Sequence, residues 1–150
     1  MTVAQAVDSI SRCQENHTRT KEDKMPAKTP AELDVLFTQH LKAGDLDALM
    51  SLYESGAAFP NMQGEVKSGL AALREEMAPF AAMKPELTSN VTKIVVAGDI
   101  ALIHNEWTMP AQSMSGYAVE VARRQADGTW LFAIDDPFTV GSRTGAATPA

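Results

Sequence analysis

The sequence holds one cysteine, Cys13, so it can form no internal disulfide and no thiolate cage around a metal. Charge of one sign is also short: 13 Lys+Arg face 19 Asp+Glu, for a net charge of -6. Without a basic run to displace counterions, no nucleic-acid partner is expected, nor attraction to an anionic membrane. No apolar stretch approaches the ~20 residues of a spanning helix. The first thirty residues lack the apolar core of an export signal, so the expected location is cytoplasmic. Gly56 and Gly64 stand alone, giving no phosphate loop. No Gly-x-Ser-x-Gly elbow occurs, and Ser89 and Thr92 have no nearby base; nucleophilic catalysis and a resident cofactor are therefore not expected. Aromatics are sparse at 6%, yet hydrophobic residues reach 45% of the 150, enough for one folded domain.

Composition divides the chain into three. Residues 1–28 mix charges of both signs, and from Cys13 to Lys28 offer little to bury. They are expected to form a flexible arm, with at most a helical turn or two around Val3, Ala6, Val7 and Ile10. Met25, just before a strong helix start, is a candidate translation start. Residues 29–138 are the expected domain, and 139–150, rich in Gly, Ala, Thr and Pro, a frayed tail.

Thr29-Pro30-Ala31-Glu32 is a helix start, with a capping hydroxyl, proline at the first turn and a reciprocal glutamate. Leu33, Leu36, Phe37, His40 and Leu41 follow at helical spacing, which makes His40 a core-edge residue. Gly44 ends that helix, and Asp45 caps a second with Leu46, Leu49, Met50 and Tyr53. A short extended piece is expected around Ala57–Phe59. Ser68 then caps a third helix, expected to stop near Pro79. After Pro85 the period falls to two, predicting strands at 87–97, 99–109, 115–126 and 129–138. Gly98-Asp99 and Asp127-Gly128 supply tight turns. Helices followed by an antiparallel meander make an α+β fold, with a hollow between sheet and helices.

The segment Ala43-Gly44-Asp45-Leu46-Asp47-Ala48-Leu49 leading to Leu52-Tyr53, and Ser68-Gly69-Leu70-Ala71-Ala72-Leu73-Arg74-Glu75, resemble the ketosteroid isomerase and SnoaL-like group. That group belongs to the nuclear transport factor 2-like superfamily. Arg124-Gln125-Ala126-Asp127-Gly128-Thr129-Trp130 through Ile134-Asp135-Asp136-Pro137-Phe138 is similar to its uncharacterised YybH-like branch. The resemblance implies a cone-shaped α+β barrel, three N-terminal helices packed on a bent antiparallel sheet. It leaves function open, because the scaffold carries isomerases, cyclases, dehydratases, epoxide hydrolases and non-catalytic modules. Steroid isomerisation by the family mechanism is disfavoured. Its donor tyrosine falls at Phe37, which has no hydroxyl, and its base at Asn61, whose amide takes up no proton at neutral pH. Only the second donor position, Glu120, keeps an acid.

The resemblance further implies that Ile100, Leu102, His104, Glu106 and Thr108 face the interior, with Glu120 and Asp135 inward on later strands. His104 and Glu106 are then the candidate catalytic pair, a histidine and a carboxylate able to exchange protons. Phe37, Tyr53, Phe59, Asn61, Glu120 and Asp135 are the candidate substrate-binding residues. His104, Glu106 and one further carboxylate resemble a ligand set, but no recognised metal spacing occurs, so no metal is expected. The same orientation sends Ile103, Trp107, Tyr117, Val119 and Val121 outward, extended by Trp130, Phe132 and Ile134. Such a patch marks a partner surface, and the family implies a sheet-to-sheet homodimer that Trp107→Glu should break. Two functions remain: an acid–base enzyme (isomerase, cyclase or hydrolase-like) on an apolar, oxygen-bearing small molecule, or a non-catalytic ligand-binding or dimeric assembly module.

Overall fold

Thr29 opens α1 (Pro30–Ala43), its Oγ1 accepting from the Glu32 amide at 3.3 Å. Glu32 returns the bond one residue early, to the Lys28 amide at 2.6 Å. This is a computed structural model, and it describes residues 25–139. The expected helical turns near Val3–Ile10, most of the arm and the tail from 140 lie outside the described residues. Gly44, at φ 70, turns the chain out of α1; a Cβ there would meet the Lys84 side chain at 2.9 Å. Asp45 caps α2 (Leu46–Met50) through the Ala48 amide.

Helix α2 is shorter than its apolar spacing predicts, because Tyr53 begins strand β1 (Tyr53–Pro60). β1 pairs with the brief β2 (Val66–Ser68) and runs parallel to β6. Gly69, rather than Ser68, occupies the cap of α3 (Leu70–Met83). Pro79 does not stop α3. It lies on the exposed side, where water can serve the carbonyl it frees, while Met77 and Ala81 around it are buried. Tertiary burial thus outweighs the proline penalty.

The meander appears where the alternation places it: β3 (Thr88–Ala97), β4 (Ile100–Met109), a 3-10 turn at Pro110–Gln112, β5 (Met114–Arg124) and β6 (Trp130–Asp136). The six strands form one mixed sheet in the order β2-β1-β6-β5-β4-β3, with the helices across its inner face. Leu33, Leu49, Leu73, Ile103 and Phe132 are fully buried between the layers, each contributing about 1.5–3 kcal/mol of apolar transfer.

Two registers decide which side chains face the helices. Between β4 and β5 the pairs run from Met109↔Met114 through Asn105↔Ala118 to Ile103↔Glu120. Directly paired residues share a face, so odd positions on β4 lie beside even positions on β5. Glu120 therefore points inward together with Ala101, Ile103, Asn105, Trp107 and Met109, all buried. The expectation that the His104 row and Glu120 share a face is corrected by this pairing. Between β5 and β6, Val121 pairs with Ile134 but Ala122 with Phe132. Ala133 is the extra residue of a bulge, and a bulge reverses the alternation beyond it. Phe132 and Asp135 consequently both point inward, at 1% and 5% exposure.

The outward apolar patch is corrected in the same way. Ile103, Trp107, Trp130 and Phe132 are buried in the inner layer. Tyr117 and Ile134 remain on the outer face, each 44% exposed, with Val119 and Val121 half-buried beside them. Trp107→Glu would act on the interior and does not test that surface.

Candidate functional site

The apolar stripe of α1 contains one residue that does not belong in a core by composition. Asp34 lies between Leu33 and Phe37, one helical turn before Thr38, and is only 4% exposed. It faces a hollow of about 700 Å³, counting solvent at the mouth. Phe37, Phe59, Phe80, Trp107 and Phe138 give the hollow aromatic walls. Trp107 is fixed by its Nε1, which donates to the Pro137 carbonyl at 2.7 Å. It also requires Gly116 opposite, where a Cβ would approach its ring to 2.9 Å.

At the polar end three carboxyl groups meet: Asp34 from α1, Glu120 from β5 and Asp135 from β6. Asn105 on β4 links two of them, its Nδ2 donating to Asp34 Oδ1 at 2.8 Å and, at a longer 3.5 Å, to Glu120 Oε1. Ser89 on β3 orients that amide by donating to Asn105 Oδ1 at 2.9 Å. The Tyr53 hydroxyl donates to Asp135 Oδ2 at 2.5 Å. Asp34 Oδ2 and Glu120 Oε2 are buried with no donor from another side chain or the backbone, and the two carboxyls hydrogen-bond each other when one keeps its proton.

Burial penalises charge here, and the carboxyls repel one another. Burial first and the charge of Asp135 second raise the Asp34 pKa to about 7. Asp135 is raised to about 6 by burial, against the lowering effect of the Tyr53 hydrogen bond. Burial, then Asp34 and Asp135, push Glu120 well above the usual carboxylate range. Burial and Asp135 likewise raise the Tyr53 phenol, keeping it protonated as a donor. At neutral pH the cluster therefore holds protons within an apolar wall. It can offer an acidic O–H and a carboxylate oxygen side by side, the pairing that general acid–base chemistry needs.

Of the sequence candidates, Phe37, Phe59, Glu120 and Asp135 line this hollow, and Tyr53 stands behind Asp135 as its donor. Asn61 does not line it. Its Oδ1 accepts from the Gln63 and Glu65 amides at 3.0 and 2.9 Å, which closes the turn after β1. His104 and Glu106 lie on the opposite face of β4, away from the hollow, and Glu106 accepts from the Tyr117 hydroxyl at 2.6 Å. Asp34 and Asn105 were not singled out by sequence reasoning. Asp34 carries a readable signal, a carboxylate inside a helical apolar stripe; Asn105 becomes visible only with the register of β4. Among the described residues no cluster of His, Cys, Asp and Glu has the makings of a metal site, and no helix is long and apolar enough to cross a membrane.

Residues 36–141 match the SnoaL-like domain. No match emerges among curated proteins. Several solved structures share the fold at low identity. A proposed dehydratase of the NTF2-like family from Streptomyces avermitilis superposes with a TM-score of 0.59 at 18% identity, over 71% of this chain and 89% of that one. A ketosteroid isomerase-like protein from Erwinia carotovora atroseptica gives 0.52 at 14% identity, over 71% and 89%. A proposed calcium/calmodulin-dependent protein kinase type II association domain from Thiobacillus denitrificans gives 0.56 at 19% identity, over 77% and 99%.

Proposed function

We propose a function from the premise that the chain belongs to the SnoaL-like domain family, in the ketosteroid isomerase-like group of the nuclear transport factor 2-like superfamily. The protein binds a small, largely apolar, oxygen-bearing molecule in the hollow and acts on it by acid–base chemistry. Asp34 and Glu120 exchange protons with the substrate, and Asp135, held by Tyr53, sets their charge. The roles first given to His104 and Glu106 pass to this pair. The observation that carries the reading is three buried carboxyls, Asp34, Glu120 and Asp135, gathered on the wall of an otherwise apolar hollow.

The second reading, a non-catalytic assembly module forming a homodimer through the outer sheet face, draws on the kinase association domain among the structural neighbours and on exposed Tyr117 and Ile134. Under both readings the protein works in the cytoplasm.

Native mass spectrometry of gently purified protein, followed by transfer of any retained organic ligand into deuterated water, separates the two. Acid–base chemistry exchanges ligand protons for deuterium or converts the ligand, and Glu120→Gln slows this by ~100-fold or more. A ligand that binds without exchange or conversion favours the binding module. A dimer that holds no ligand favours assembly.

A further inference from the structure

Asp34 and Glu120 line the hollow together, yet their surroundings are not equivalent. The buried Asn105 amide turns its Nδ2 toward both of them. It reaches Asp34 Oδ1 at 2.8 Å but Glu120 Oε1 only at 3.5 Å, long for such a bond. A carboxylate accepts a hydrogen bond more strongly than a neutral carboxyl does, so the short contact favours negative charge on Asp34. Glu120 then stands beside that charge and keeps its proton. A proton on Glu120 Oε2, donated to Asp34 Oδ2, engages the two oxygens that no other group serves.

The other groups around the pair leave this bias in place. Asp135 enters from β6, with Asp136 next to it on that strand, and its charge opposes ionisation of both carboxyls. Tyr53 from β1 is neutral and already donates to Asp135. Helix α3 brings Met77 and Phe80, and among the described residues no Lys, Arg or His lines the hollow. Asn105 is itself braced from β3, where the Ser89 hydroxyl donates to its Oδ1 at 2.9 Å. An amide turned over would set that oxygen against the Asp34 carboxylate.

We infer that Asn105, braced by Ser89, is a positioning residue that divides the labour of the pair: Asp34 is the base that takes a proton from the substrate, and Glu120 the acid that gives one. When Asp34 Oδ2 takes the substrate's proton it stops accepting from Glu120, whose O–H is released to the substrate. The proton left on Asp34 then passes along the same hydrogen bond to the Glu120 carboxylate. The starting state returns with no proton drawn from solvent. The inference rests on the acid–base reading of the same hollow and adds the direction in which protons travel.

Carbon-detected NMR of the full-length protein, following the Asp34 and Glu120 carboxyls from pH 4 to 9, tests it. In the wild type Asp34 should lose its proton first. Asn105→Leu removes the amide at similar volume and should raise the Asp34 midpoint by ~1 pH unit or more, drawing it toward that of Glu120. Ser89→Ala leaves Asn105 present but unbraced and should raise the midpoint by less. Ser89→Thr keeps the hydroxyl and should restore the wild-type value. A role in packing alone would move neither the order nor the spacing of the two midpoints. The wild-type order and the serine variants decide the matter even if Asn105→Leu misfolds. Glu120 titrating before Asp34, or an Asp34 midpoint indifferent to the loss of the Ser89 hydroxyl and the Asn105 amide, overturns the assignment and leaves the acid–base reading standing. Both carboxyls titrating near pH 4 in the wild type overturns both.

Discussion

Two tyrosine–carboxylate pairs lie on opposite faces of the same sheet. On the outer face the Tyr117 hydroxyl donates to Glu106 at 2.6 Å, and Tyr117 is 44% exposed. On the inner side the Tyr53 hydroxyl donates to Asp135 at 2.5 Å, with both residues at 5% exposure or less. The bond is nearly the same and its consequences are not. Water serves the outer pair if the bond breaks, and screens its charge. The inner pair has no such alternative, and its charge reaches Asp34 and Glu120 with little screening. A hydrogen bond that is incidental outside thus becomes part of a proton-holding cluster inside.

The largest expected effect of that difference is on stability against pH. Asp34 rises from 3.8 to about 7 and Asp135 from 3.8 to about 6, so between those values the folded protein binds more protons than the unfolded chain. Stability is therefore fully present near pH 4 and is lost as pH rises through 6 to 7, by an amount on the order of several kcal/mol. Urea unfolding from pH 4.5 to 8 checks this. Asp34→Asn with Glu120→Gln should flatten the profile, whereas Glu106→Gln on the outer face should leave its shape unchanged.

Next in size is the loss of the inner donor. Tyr53→Phe leaves Asp135 Oδ2 without its partner and should cost about 1–3 kcal/mol at pH 8. The cost should be smaller at pH 5, where a protonated Asp135 no longer carries charge. Tyr117→Phe, the outer counterpart, should stay within the error of the same measurement at both pH values.

The smallest effect on folding is expected at Ile134, on the outer face beside Val121. Ile134→Asp should leave the pH profile of unfolding intact while shifting the proposed homodimer to monomers in sedimentation. An unchanged sedimentation profile with dimers still present would place the interface elsewhere.

The contrast between the faces also explains what the sequence could and could not reveal. Period and caps located α1 and the four meander strands to within a few residues, because capping residues, Gly44, the Gly98 turn and Asp127-Gly128 act locally. Tyr53 and Pro79 misled the local reading; β1 takes Tyr53 into its pairing with β6, and the buried residues around Pro79 carry α3 past it. Orientation was less legible still. One connection, 110–113, sets whether His104 or Asn105 lies with Glu120, and one bulge at Ala133 turns both Phe132 and Asp135 inward. Neither leaves a mark in the alternation of a single strand. Of the site, Glu120, Asp135 and the aromatic walls at Phe37 and Phe59 were legible. Asp34 was legible in principle, since no neighbour in the stripe from Leu33 to Leu41 explains a carboxylate there.

The central claim is that Asp34 and Glu120 hold protons near neutral pH and that Asp135 titrates well above the ordinary carboxylate range, and carbon-detected NMR titration of the Asp and Glu side-chain carboxyls measures it directly. Asp34 should titrate near 7 and Asp135 near 6, with Glu120 remaining protonated well above the ordinary carboxylate range. If all three lose their protons near pH 4, the cluster is wetted and ordinary, and the acid–base account of the hollow is contradicted.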